Sequence, residues 1–147
     1  MKKIVILMGL QGSGKSTFYK KFLSAECTRV NLDTLKTRNK EKMLIEQCFV
    51  EGKSFAVDNT NPTKADRARY IEAAKAEGYE IHGYFIESKL QECIARNNLR
   101  NGKEKVPPQA IAATSNKLEI PCYAEGFDKL FFVRNDGVNM IIEEWRE

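Results

Sequence analysis

The chain is poor in the residues that interrupt, staple or metallate a fold: four prolines, four cysteines and a single histidine in 147 positions. Cys27, Cys48, Cys93 and Cys122 are widely separated, form no CxxC pair and have no histidine beside them. That excludes a zinc site and a dithiol redox motif, and leaves buried, reduced thiols as the expectation. No apolar run approaches the roughly 20 residues that cross a bilayer. The Met-Lys-Lys start leads into apolar residues only from Ile4 to Met8, which is too short for a secretory signal and reads as a core strand. Unpaired cysteines and no span point to the cytoplasm. Repeats, linkers and low-complexity segments are absent too. Apolar residues at 42% and charged residues at 30% exclude a disordered chain, and the length fits one domain over 1–147.

The net charge is +4, too small to demand a nucleic-acid partner but suited to a polyanionic substrate. The positive charge gathers in two places: Lys36, Arg38, Lys40 and Lys42, then Arg96, Arg100, Lys103 and Lys105. Either cluster alone would also suit a solvated helix face.

Short β-rich runs alternate with helical stretches, the pattern of a parallel sheet covered on both faces. Strands are expected over Lys3–Met8, Thr28–Leu32, Phe55–Val57, Tyr79–Ile86 and Lys129–Val133. Helices are expected over Lys15–Ser24, Leu35–Glu51, Thr63–Glu77, Val106–Leu118 and Gly137–Glu147, and one from an N-cap at Ser88 to Leu99. Met140, Ile141 and Trp145 would form the apolar stripe of the terminal helix. The resulting architecture is α/β: five parallel strands flanked by helices, with a helical lid over about residues 88–118.

Directly after the first strand stands Gly9-Leu10-Gln11-Gly12-Ser13-Gly14-Lys15-Ser16, a complete GxxxxGK[ST] phosphate loop followed by Thr17. Each required residue has a separate task. The glycines let backbone N–H groups turn toward phosphates, Lys15 supplies a cation between β- and γ-phosphates, and the Ser16 hydroxyl faces Mg²⁺. ATP with Mg²⁺ is therefore the expected ligand. A mere strand-to-helix turn needs neither the lysine nor the hydroxyl.

The loop shows binding and leaves the reaction open. Phosphoryl transfer also needs a carboxylate to orient a hydroxyl and accept its proton, and positive charge on the migrating group. Asp33 and Asp58, each ending an apolar strand, meet the first need. Arg96 and Arg100, four apart on one helix face beside Asn101-Gly102, meet the second. By itself Asp33 is equally a helix cap, and Asp58 equally a turn carboxylate.

The order of motifs resembles the kinase domain of polynucleotide 5′-kinases. The matching pieces are GLQGSGKST (Gly9–Thr17), VNLDTL (Val30–Leu35), VDNTNPTKADRARYIEAAKAEG (Val57–Gly78), ARNNLRNGKEKVP (Ala95–Pro107) and Glu125-Gly126-Phe127, spread over nearly the whole chain. The resemblance implies that Asp33 is the general base at the 5′-hydroxyl of a DNA or RNA end. It further implies that Arg100 is the lid arginine on the transferring phosphate, with Arg96 as helper. Asp58, Thr60 and Asn61 would form the turn beside the acceptor, with Asp58 also facing the metal. Lys36 would meet a neighbouring substrate phosphate as a point charge, where the phage member of that family has an arginine fork. Two departures stand out. Asn31-Leu32-Asp33 replaces the family's Asn-Arg-Asp, and the phosphatase motif of the bifunctional members finds only Arg134-Asn135-Asp136-Gly137-Val138, so no phosphatase activity is expected. A nucleoside or sugar kinase, or a nucleotide-dependent binding module without transfer, would also fit the loop.

Overall fold

The structure is a computed structural model that describes residues 2–102 and 105–147; Lys103 of the second basic cluster lies outside the described residues. Strand β1 (Lys3–Met8) is built from apolar residues on both faces, and Ile4 through Met8 are all fully buried. A strand apolar on both faces belongs inside a parallel sheet covered by helices. It pairs in parallel with β3 (Phe55–Asp58) on one side and β4 (Glu80–Ile86) on the other. Strand β2 (Thr28–Val30) extends the sheet beyond β3, and β5 (Lys129–Asn135) extends it beyond β4, again in parallel.

Alternate residues of β1 feed two cores. Ile4, Ile6 and Met8 face α3 (Arg38–Glu51) and α4 (Lys64–Ala76), meeting Cys48, Tyr70, Ile71 and Ala74. Val5 and Leu7 face Phe18 and Leu23, which lie in α1 (Lys15–Phe18) and the π-helical turn Tyr19–Leu23 that continues it. At about 1.5–3 kcal/mol per fully buried aliphatic side chain, this strand alone anchors the fold. A smaller cluster of Leu10, Cys93 and Ile111 joins the phosphate loop to α5 (Leu90–Asn98) and α6 (Pro108–Lys117).

The expected α/β phosphate-loop architecture is present, with three corrections. First, Gly137–Glu147 is not a helix. Residues Met140–Glu144 form β6, antiparallel to β5, giving a six-stranded sheet in the order β2-β3-β1-β4-β5-β6. Asp136 Oδ1 accepts from the amides of Val138 (2.8 Å) and Asn139 (2.6 Å), turning the chain back along the open edge of β5. Trp145 then packs on Phe85 and Phe132. An Asp-Gly pair is a hairpin turn as readily as a helix start, and an unpaired sheet edge favours the hairpin.

Second, Leu35–Glu51 is broken. A one-turn helix α2 (Leu32–Leu35) ends at Lys36, whose φ of 79° stops it, and α3 restarts at Arg38 with Thr37 as N-cap. Third, Ser88 is not a cap: α5 begins at Leu90 without a side-chain cap, and the Ser88 hydroxyl is used elsewhere. Helix α4 starts as expected at Thr63, where Thr63 and Asp66 form a reciprocal capping box.

Candidate active site

The segment Gly9–Ser16 links β1 to α1 and is braced from every side. Gly12 and Gly14 have φ of 82° and 106°, a region that L-residues avoid. A Cβ on Gly12 would come within 2.4 Å of the Cys93 carbonyl oxygen, and one on Gly14 within 2.9 Å of both the Met140 methyl and Asn135 Nδ2. Asn135 Nδ2 donates to Ser13 O at 2.8 Å, and Arg96 donates to Gly12 O at 3.2 Å. The Leu10 amide donates to Ser88 Oγ at 3.0 Å, the Gly9 amide to Thr60 O at 3.1 Å, and Gln11 Nε2 to Thr114 Oγ1 at 3.2 Å.

Lys15 is buried, with Nζ donating to Gly9 O at 3.0 Å and Leu10 O at 2.8 Å. Burial pushes its ammonium down to about 8, against the pull of Asp58 and with help from the positive charge of Arg100. Two buried polar atoms of the loop, Ser13 Oγ and Gln11 Oε1, have no hydrogen-bond partner among the described residues. Unpaired buried polar groups are costly, and a phosphate-bearing ligand would accept from the Ser13 hydroxyl, whereas Gln11 Oε1, itself an acceptor, needs an N–H or O–H donor. Ser16 Oγ donates to Asp58 Oδ2 at 3.0 Å. Hydroxyl and carboxylate oxygens are the hard donors that Mg²⁺ takes alongside substrate phosphates and water, so the residues fit that ion. Among the described residues there is no cluster of three or more His, Cys, Asp or Glu suited to a metal by protein ligands alone. Thr17 is exposed on α1.

Across the cleft stands Asp33, in the first turn of α2 and exposed. Three side-chain contacts hold this short helix. Asn31 caps it by accepting from the Thr34 amide (3.0 Å) and ties it to the sheet through Nδ2 to Asp58 O (2.6 Å). The Leu32 amide donates to Asn59 Oδ1 at 2.9 Å. Asn59 Nδ2 in turn donates to Glu41 Oε2 (3.0 Å), and the Tyr70 hydroxyl and Arg38 converge on the same buried carboxylate. None of Arg38, Asn59, Glu41 and Tyr70 was expected at the site, because their partners lie on different elements. Lys36 is exposed at the end of α2 and is not among the residues lining the cleft.

Asp58 ends β3, Thr60 and Asn61 follow it, and this turn is fixed from below. Asn61, at φ 46°, donates from Nδ2 to Leu7 O at 2.7 Å. Fully buried Arg67 donates to the carbonyls of Asn61 and Pro62 at 3.0 and 3.3 Å, and pairs through Nε and Nη2 with Glu125 at 2.8 and 3.1 Å. This links the late Glu125-Gly126-Phe127 motif to the DNTNP turn: the acid neutralises the arginine that shapes it. Removing one partner of such a buried pair costs about 3–5 kcal/mol.

Sequence reading also missed Arg29. From β2 its Nε donates to Asp58 Oδ2 and its Nη2 to Ser16 Oγ, both at 2.8 Å. On α5, Asn97 makes two bonds to Val106, at 2.6 and 3.0 Å, pinching together the ends of the stretch that carries Arg100. The outcome is one cleft of about 360 Å³ whose lining brings together Gln11, Lys15, Ser16, Asp33, Asp58, Thr60, Asn61 and Arg100, joined by Arg38, Tyr70 and Lys117. Arg96 lies behind the loop rather than in the cleft lining.

No protein-family model matches the chain. It is 31% identical over 132 residues to a bifunctional polynucleotide phosphatase/kinase of Schizosaccharomyces pombe, covering 86% of this chain and 32% of that protein. A putative bifunctional polynucleotide phosphatase/kinase of Acanthamoeba polyphaga mimivirus is 30% identical over 136 residues, covering 88% and 32%. The chain thus spans about a third of the length of these curated relatives. Among solved structures, Chaetomium thermophilum Kti12 in complex with ADP-AlF3 superposes with a TM-score of 0.68 at 14% identity, over 90% of this chain and 89% of that one. That likeness gives the P-loop kinase fold, and the sequence likeness bears out the resemblance to polynucleotide kinases read from the motifs.

Proposed function

We propose that this chain is an ATP-dependent kinase of polynucleotide 5′-hydroxyl ends. The observation that carries the reading is the single cleft in which a phosphate-loop lysine and serine, a carboxylate on a separate short helix and an arginine from the α5–α6 stretch face one another. A binding module needs the first two. Only transfer needs all four. The sequence likeness to polynucleotide phosphatase/kinases supports a nucleic-acid end as the acceptor over a nucleoside or sugar.

In this reading the loop amides and Lys15 hold the triphosphate of ATP, and Ser16 with Asp58 holds Mg²⁺, which when bound neutralises charge on the β- and γ-phosphates. Asp33 orients the 5′-hydroxyl and takes its proton as the oxygen bonds to the γ-phosphorus and the bond to the β-phosphate oxygen breaks. Arg100 stabilises charge on the migrating group, and Arg96 keeps the loop in shape. Lys36 guides the strand from outside, and Asp58, Thr60 and Asn61 form the wall beside the hydroxyl. The chain works as a single 1–147 kinase domain whose lid spans about residues 88–118, in the cytoplasm and without a phosphatase partner within it. Among the described residues no helix is long and apolar enough to cross a membrane.

The deciding experiment offers γ-labelled ATP with 5′-hydroxyl DNA and RNA oligonucleotides, and with small sugars and nucleosides. Label is expected on oligonucleotide ends and absent from 5′-phosphorylated controls. Transfer to a small acceptor alone, with oligonucleotides neither reacting nor inhibiting, would overturn the reading.

A further inference from the structure

Arg29 belongs to no motif, yet its guanidinium sits on the two oxygens to which the proposed function assigns the metal. Nε donates to Asp58 Oδ2 and Nη2 to Ser16 Oγ, both at 2.8 Å, while Ser16 Oγ is itself 3.0 Å from that carboxylate oxygen. The Asp58 side chain is 2% exposed and that of Arg29 32%, so the acid is inside and the arginine reaches it from the solvent side. A buried carboxylate needs a cation, and here Arg29 supplies one.

A guanidinium and a divalent ion compete for these oxygens. Each oxygen has few lone pairs, the hydroxyl already donates to the acid, and two cations within a few ångströms repel strongly in a partly dry site. We infer that Arg29 is an internal competitor of the divalent cation: ligation of Mg²⁺ by Ser16 and Asp58 requires the Arg29 fork to let go. The inference rests on the donor-site reading above. Its consequence is a threshold, in which metal must reach a higher concentration to support nucleotide binding than the same loop would need without this arginine.

The test reads binding, not turnover. A fluorescent ATP analogue is titrated onto the protein at rising Mg²⁺ with no acceptor present, and the Mg²⁺ concentration for half-maximal binding is compared with that of Arg29→Met. That midpoint is expected to fall about tenfold, within the roughly 5–150-fold usual for coupled sites. Arg29→Lys keeps the charge but loses the reach and the planar two-point fork of the guanidinium, so its midpoint should fall about threefold, and it carries the test should the methionine variant fail to fold. Equal midpoints in wild type and variants would overturn the inference while leaving the nucleotide site intact. A lysine variant that matches wild type while the methionine variant is shifted would overturn it as well, reducing the effect to bulk charge. Failure of wild type and variants to bind the analogue at any Mg²⁺ level would overturn the donor-site reading and this inference with it.

Discussion

Around the phosphate loop the main chain is shaped for binding, and side chains from distant elements only brace it: Ser88 on the Leu10 amide, Asn135 on Ser13 O, Arg96 on Gly12 O. Across the cleft the arrangement is reversed. Asp33 stands on a helix of four residues that is held by the side chains of Asn31 and Asn59, backed by Glu41, Arg38 and Tyr70. The loop side, the donor side of the proposed reaction, is thus shaped by its backbone, and the Asp33 side, its proposed acceptor side, is held by a hydrogen-bond network of side chains.

The sharpest way to break that contrast is at Asp33. Asp33→Asn should lower kcat by about 10²–10⁴-fold, the usual worth of a general base, while the affinity for ATP stays within a few-fold. Steady-state kinetics beside equilibrium nucleotide binding will show it. Equal losses in both would mean that the two sides are not separate. A smaller effect is expected from Asn59→Ala, which leaves the Leu32 amide without its partner and removes one of the donors to Glu41. About 1–3 kcal/mol of stability should be lost, the penalty for unpaired buried groups, and the acceptor KM should rise several-fold with nucleotide affinity unchanged. Denaturant unfolding and initial rates would report an unchanged KM if α2 holds its place unaided.

The smallest effect tests the donor side alone. Lys15 titrates at about 8, below its ordinary value of 10.5, because burial disfavours its charge. Between these values the unfolded chain holds a proton that the folded one lacks, so the Lys15 contribution to stability rises with pH across that window. Triphosphate binding restores the charge, so nucleotide binding at about pH 9 should take up close to one proton. Calorimetry in two buffers of different ionisation enthalpy measures that uptake, and Lys15→Met should abolish both it and the stability slope.

The same contrast explains what could be read from the sequence. The phosphate loop, the buried strands and the helix from Thr63 are local patterns whose physics is contained in a few consecutive residues. Arg29, Asn59, Glu41 and Tyr70 acquire meaning only when β2, β3, α3 and α4 are side by side, and no spacing announces that. Strand β6 was misread for another reason. Met140, Ile141 and Trp145 satisfy a helical stripe over so short a window, whereas the demand that decided the matter was the open edge of β5, a property of the sheet and not of the segment. The Asp136-Gly137 pair was the available signal.

That strand has a consequence for the order in which the protein becomes competent during synthesis. The phosphate loop leaves the ribosome before the groups that crowd Gly14 and hold Ser13 O, which are Met140 and Asn135, the latter 122 positions downstream. Contacts of such long sequence separation form late, after the intervening chain has been ordered. A nascent chain that already carries the whole GxxxxGK[ST] signature would therefore hold a loop without its final support, and nucleotide capture would report completion of the sheet rather than presence of the motif.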